Sequence, residues 1–398
     1  GGAPYGSELQ PVDLGSGGGS GSTSGGIGGG AIRLEIAGTL DLEGSISANG
    51  SNGSSSGSAD SGGGSGGSIW VTTASLSGAG AFRANGGFGG SNAGGGAGGR
   101  IAVEYTDASG YTGFGVSVAD GGGGHQGGED GTVGFLDIDA PGGGDLTVAH
   151  HYLIPSGMGL PYNSVVVEAG AVLEIEAGVS VSLQSLELKD AARLRLRDGA
   201  QLSLPAGMFT DANNVRIEID SNAVLDYPDN LVIDGGSTFV YGANTVYALP
   251  FDLTIDESST LEIGGGGELN ITGDLEVLGA STVLVRAINR GGSSGGAGST
   301  IRAANVTVES GSVVHANAQG YTASNGPGQG QDSHGGGGGY GGFGGNTSNG
   351  RLGGAPYGSE LQPVDLGSGG GSGSTSGGIG GGAIRLEIAG TLDLEGSI

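Results

Sequence analysis

The residues best suited to chemistry in this chain are acids set in glycine-rich backbone. Asp120 to Asp130 reads DGGGGHQGGED, and Asp139 to Asp145 reads DAPGGGD. Carboxylates on so pliant a backbone suit calcium, which takes carboxylate and carbonyl oxygens in flexible geometry. Asp120, Glu129, Asp130, Asp139 and Asp145 are therefore the candidate calcium ligands, against the simpler reading of plain solvated acids. The repetitive calcium-binding nonapeptide is not matched, and GGGDLTV at Gly142 to Val148 is a partial echo of it. Histidine is confined to His125, His150, His151, His315 and His334. Neighbours on a strand point to opposite faces, so His150 and His151 do not make a zinc site together.

Other chemistry finds less footing. Gly-x-Gly-x-x-Gly occurs at Gly62, Gly64 and Gly67 and at Gly94, Gly96 and Gly99, but Gly supplies 98 of 398 residues, so chance alone produces it. A dinucleotide site also needs a following helix and a distal acid. Cys is absent, which removes disulfides, thiolate metal sites and a Cys nucleophile. The markers of polysaccharide-cleaving β-helices are missing: Arg216-Ile217 is followed by Glu218. The chain is expected not to be an enzyme and to hold no cofactor other than a calcium ion. Asn49, Asn52, Asn270, Asn305 and Asn346 stand in glycosylation sequons. The net charge of −27 disfavours nucleic acid and anionic membrane as partners. No apolar run reaches the length of a membrane span.

The elements that would position these groups come in two textures. In the first, a Gly run leads into two β-rich segments and closes on Ala-Asn-Gly or a variant, at Gly28 to Gly50, Gly66 to Gly87, Gly98 to Gly122 and Gly298 to Gly320. Each copy opens on an Ile (Ile32, Ile69, Ile101, Ile301) and closes on Asn49, Asn85, Asp120 or Asn317. Asn-Gly and Asp-Gly accept positive φ cheaply, so the closing residues predict tight corners. In the second texture, Thr132 to Arg290, apolar residues alternate with polar ones in bursts about every eight residues: Val165 and Val167, Leu173 and Ile175, Val179 and Val181, Leu186 and Leu188. Period two means strands with one buried face. Helical spacing is nearly absent. Trp70, Tyr105, Phe135 and Tyr241 lie in bursts and are expected in the core or stacked between strands.

The expected fold is all-β: a parallel β-helix (β-solenoid) with long Gly-rich loops, about three bursts to a coil. Tandem antiparallel β-sandwiches are the alternative. The segments are 1–131 (Gly-rich motifs with loops), 132–290 (regular coils), 291–352 (a further motif and long Gly loop) and 353–398. That last segment repeats residues 1–46 without a change, an offset of 352 residues. The chain starts without Met and stops inside an apparent strand, so both ends are expected to be cut from a longer tandem array. Such an array builds a filament, sheath or stalk, since each coil buries its inner face only against a neighbour. The main partner is then the protein itself, head to tail and laterally through Gly loops, which are expected to pair backbone to backbone in a layer. A repetitive adhesin binding glycan, ice or a surface is a second reading, and a polysaccharide-active enzyme a third.

GGGSGGSIW, the ANGG corners, GGGAGGRIAVEY and GGAPYGS resemble the Gly-rich β-solenoid repeats of very large secreted surface or fibre proteins of bacteria and some protists. The likeness covers Gly1 to Glu104 and Gly298 to Ile398. It implies an extracellular or cell-surface location, a fibrous or adhesive role and no catalytic residues.

Overall fold

The computed structural model describes residues 2–55, 60–140, 144–157, 162–211 and 213–398. It is all-β, with mostly parallel sheets. The one helical element among the described residues is the 3₁₀ turn Phe114–Val116. No helix among them is long and apolar enough to cross a membrane. The chain divides into two compact units, Gly1–Arg195 with Leu202–Ala212, and Leu196–Gln201 with Asn213–Ile398. The division falls inside the alternating stretch, because strand pairing and not composition decides which segments touch.

In the first unit the strands Ala31–Asp41, Ser68–Gly78, Arg100–Tyr105 and Thr132–Asp137 pair in parallel, in that order. The register stacks like on like. Ile32 lies beside Ile69, Ile69 beside Ile101, and Ile101 beside Val133; one turn of the pleat on, Leu34, Val71, Val103 and Phe135 form a second row. The inner members of both rows are fully buried, while Ile32 and Leu34, on the edge strand, are half-buried. Phe82, Tyr111, Phe114 and Phe135 close the core with ring centroids 4.9–6.3 Å apart. Direction then reverses: Thr132–Asp137 pairs antiparallel with Gly144–Val148, after which Tyr162–Val167 and Ser185–Leu188 resume parallel pairing.

The second unit is more regular. Arg216–Ile219, Thr238–Tyr241, Thr260–Ile263 and Thr282–Val285 pair in parallel at a constant offset, Ile217 to Phe239 to Leu261 to Val283, of 22 residues. Leu231–Ile233, Leu253–Ile255 and Leu275–Val277 keep the same offset. Every second side chain points inward and is buried, as period-two alternation requires. Polar ladders run beside the apolar ones. The hydroxyls of Ser237, Ser259, Ser281 and Ser312, all buried, accept from the backbone N–H of Val215, Ser237, Ser259 and Ser281 at 3.0–3.2 Å. Asn230, Asp252, Asp274 and Asn305 each accept, through a side-chain oxygen, the backbone N–H of Asp252, Asp274, Asn305 and Thr391 at 2.8–3.2 Å. The amides of Ser237, Ser259 and Ser281 also donate to the turn carbonyls of Asp234, Asp256 and Leu278, so at these corners the hydroxyls share amides with the turn.

Three expectations change. Asn49, Asn85, Asp120 and Asn317 do not take positive φ, although Ala318 next to the last of them does; other left-handed corners include Gly170, Gly178, Gly199, Asn222 and Asn244. The closing residues serve as caps: Asn49 Oδ1 accepts the Asn85 N–H at 2.7 Å, and Asn85 Oδ1 the Asp120 N–H at 2.9 Å. Of the two places expected for Trp70 the core is not the one: it is half-buried, stacked between strands with the Arg33 guanidinium of the adjoining strand 4.2 Å above its ring. The buried pair near residue 180 is Val181 and Leu183, with Val179 half-buried.

Leu261 is fully buried between Phe239 and Val283. Leu261→Ala should therefore cost about 2–5 kcal/mol in urea unfolding of the full chain. Its outward neighbour Glu262, paired with the exposed Arg286 at 2.7 Å, should cost under about 1 kcal/mol as Glu262→Gln. Equal losses at the two positions would contradict this inward–outward assignment.

Candidate functional site

Two of the five acids proposed as ligands come together. A side-chain oxygen of Asp120, one of Asp130 and a ring nitrogen of His150 all lie within 4.8 Å of one another. His150 Nε2 is 3.0 Å from Asp120 Oδ1, and Asp130 Oδ1 accepts the Gly121 N–H at 2.9 Å. Asp120 is where the Asn49–Asn85 cap ladder arrives, so the ladder positions the cluster. An imidazole with two carboxylates is a donor set closer to zinc than to calcium. Without an ion it is a half-exposed hydrogen-bonded pair. Glu129, Asp139 and Asp145 are outside the cluster. Residues 141–143, within the second acid run, lie outside the described residues. His151 turns to a different partner, Glu174, at 3.8 Å.

Asp145 and Asp137, cross-strand partners, face Tyr105 instead. Burial, with Asp137 next in weight, pushes the Tyr105 hydroxyl from 10.0 up to about 12. Burial also raises Tyr111, and it raises Tyr152, where Tyr162 adds to the shift. Each of these tyrosines is harder to ionise folded than unfolded. For Tyr105 the stability contributed is complete below pH 10, the unfolded value, and is lost as pH rises through about 12; for Tyr111 and Tyr152 the loss likewise lies above pH 10. Tyrosinate absorbance should lag behind that of free tyrosine and rise together with loss of the β-sheet circular dichroism. Tyr105→Phe should shift that loss to higher pH. Ordinary tyrosinate titration with the fold intact would contradict the burial.

The glycine backbone is itself organised, and much of it is buried. Gly26 and Gly29 donate to the carbonyls of Gly62 and Ser65; Gly64 and Gly67 to Ser51 and Ala48; Gly63 and Gly66 to Gly94 and Ala97; Gly96 and Gly99 to Gly87 and Ala84; Gly95 and Gly98 to Gln126 and Glu129. These bonds measure 2.7–3.1 Å. Every pair is spaced by three residues, the turn length of an extended, internally unbonded helix of the polyproline II kind. The glycine segments thus form the backbone-paired layer that the sequence reading expected. The Gly-x-Gly-x-x-Gly strings belong to this layer: Gly64 with Gly67, and Gly96 with Gly99, are its donors, and each string leads into a strand, not a helix. A Cβ on Gly98 would overlap the carbonyl oxygen of Ala119, and one on Gly66 that of Ala84. The sequence signal that reading missed is Gly-x-x-Gly. Asn49, Asn52 and Asn346 are exposed, while the Asn305 side-chain amide donates to Asp274 at 2.8 Å and is committed to the corner ladder.

The identical segments 1–46 and 353–398 are covered on different sides. Within each, the same internal bonds form: Gly15 to Gly29 and Gly18 to Gly26 in one, Gly367 to Gly381 and Gly370 to Gly378 in the other. Toward their neighbours they differ. In the first copy the N–H groups of Gly26 and Gly29 are taken up by Gly62 and Ser65. Their counterparts Gly378 and Gly381 have no backbone acceptor among the described residues, whereas Gly380 and Gly382 donate to Tyr321 and Ala316. Leu42 is 7% exposed and its counterpart Leu394 46%, yet Leu14 is 67% exposed and its counterpart Leu366 0%. Glu8 is buried in an ion pair with Arg100, which also donates through Nε to the Tyr5 carbonyl at 2.9 Å; Glu360 is exposed.

Comparison with protein-family models, curated proteins and solved structures finds no match to the chain.

Because the two copies share a sequence, their intrinsic exchange rates are equal. Amide hydrogen exchange should find Gly26 and Gly29 protected and Gly378 and Gly381 open, with the reverse at Gly28 and Gly30 against Gly380 and Gly382. Equal protection in both copies would remove the two-sided assignment. Gly66→Ala should destabilise the first unit well beyond Gly38→Ala, where an added Cβ meets nothing within 4 Å.

Proposed function

We propose that this chain is a structural segment of an extracellular filament, sheath or stalk, built as a parallel β-solenoid whose repeats stack end to end. One observation carries the reading: a 46-residue sequence occurs twice, and groups left bare in one copy, such as Leu14, Leu394, Gly378 and Gly381, are covered in the other. A segment with two usable faces suits a stack in which each repeat has a neighbour on either side. The 22-residue offset kept from Arg216–Ile219 through Thr282–Val285 supports a coil that advances one rung at a time. The glycine layer supports it too. Backbone paired directly to backbone is stiff and carries no side chains for specific chemistry. Extracellular placement rests on the resemblance of the Gly-rich motifs to secreted surface proteins. The net charge of −27 keeps such a rod soluble and discourages lateral collapse. The solenoid reading assigns the Asp120, Asp130 and His150 cluster no catalytic part.

The test is a longer chain in which residues 353–398 run on into further copies of 47–398. Electron microscopy should show unbranched rods whose length grows by a fixed increment with each period. Beads on a flexible tether, or lengths unrelated to period number, would overturn the proposal.

A further inference from the structure

We propose that residues 353–398 of one molecule take the place of residues 1–46 against the strand Ser68–Gly78 of a second copy, so that copies join head to tail by exchanging an identical segment. This deepens the filament reading and rests on it for its biological use. Its geometry rests on the pairing of the two copies alone.

The first copy states what covers the bare side of the second. In residues 1–46, Ala31–Asp41 pairs with Ser68–Gly78 in register, Arg33 lies over Trp70, and Glu8 meets Arg100. Leu42 is buried, its N–H donating to Ser77 and its carbonyl accepting from Gly80. Residues 353–398 carry the same side chains in the same order, with Arg385, Glu360 and Leu394 exposed. The groups they already use toward Ser299–Ala303, Ala316 and Tyr321 are not the groups that residues 1–46 use toward Ser68–Gly78 and the glycine segment at 62–67. One segment can therefore serve both neighbours at once.

The energetic comparison has few terms. Exchange replaces every contact of the displaced segment with the same contact from an identical one, so those terms cancel. Burial of Leu394 is matched by release of Leu42, so what remains in favour is the chain entropy regained by the released residues 1–46. What opposes is the lost freedom of joining two molecules. The interface is heterologous and does not close on itself, so growth is open-ended.

The experiment uses the full chain, refolded from urea over a range of concentrations, and measures mass by analytical ultracentrifugation. The wild type should form dimers and longer species as concentration rises. Leu394→Asp and Glu360→Arg alter exposed positions, so folding should survive, and each should weaken association at least tenfold. Arg100→Glu should loosen residues 1–46 without restoring association, whereas Arg100→Glu combined with Glu360→Arg should restore it to within a few-fold of wild type. A wild type that stays monomeric throughout would overturn the exchange, as would Glu360→Arg associating normally. The latter result would mean stacking with Arg100 still held by its own Glu8. No gain from the combined variant over Arg100→Glu also overturns it. Rods from a covalently continuous multi-period chain would stand under any of these results, which separates the failure of the exchange from the failure of the filament reading.

Discussion

The structure depends on backbone meeting backbone. A segment in this chain has its N–H and C=O groups answered by a neighbouring segment, whether that neighbour is a strand in a parallel ladder or a glycine run three residues to the turn. Buried backbone polar groups without partners are costly, so each segment fixes the position of the next. In the ladders the side chains alternate in and out, and burial of Val, Ile and Leu adds a second reason for the same arrangement. In the glycine layer there is almost no side chain to bury. What permits that layer is the absence of Cβ atoms at places such as Gly66 and Gly98, where any other residue would overlap a facing carbonyl. Glycine is disfavoured entropically on folding, so the layer holds only where hydrogen bonds are continuous and shared with the ladders it adjoins.

Much of this was legible in the sequence, for reasons that differ by region. The opening isoleucines Ile32, Ile69 and Ile101 mark consecutive strands, and they stack in register because parallel pairing preserves the spacing between a strand's start and its inward residues. The bursts Leu173/Ile175 and Leu186/Leu188 are all buried for the same reason. The corners were harder. Asn49 and Asn85 look like turn residues by type, but their side-chain oxygens answer the amide of the following segment, a use that depends on a partner more than thirty residues away. Trp70 suggests core by size, yet Arg33 on the adjoining strand lets the indole face outward beneath a cation.

The candidate site was legible only in part. Asp120 and Asp130 are ten residues apart and could meet through a glycine loop, so local sequence suffices for them. His150 joins them from beyond an antiparallel strand pair, and that reversal of direction has no signal in an otherwise parallel pattern. Asp139 and Asp145 look like partners of the same cluster by proximity in sequence. The reversal carries Asp145 to Tyr105 instead, where its charge helps to keep a buried phenol protonated.

Exact identity between two distant segments has a physical consequence of its own. A parallel ladder reads its neighbour residue by residue, through the register of hydrogen bonds and the size of each inward side chain. Drift in either copy would therefore break the equivalence of the two sides: a larger residue at Leu42 would spoil one face, and one at Leu14 the other. Under the head-to-tail proposal, positions such as 14 and 42 answer to two sets of neighbours, of which a single molecule shows one at each copy. Residues such as Leu14 and Leu394, apolar and exposed where they stand, then need no local explanation. Their counterparts Leu366 and Leu42 are buried, so on the head-to-tail proposal their exposure follows from a sequence that fits on both sides.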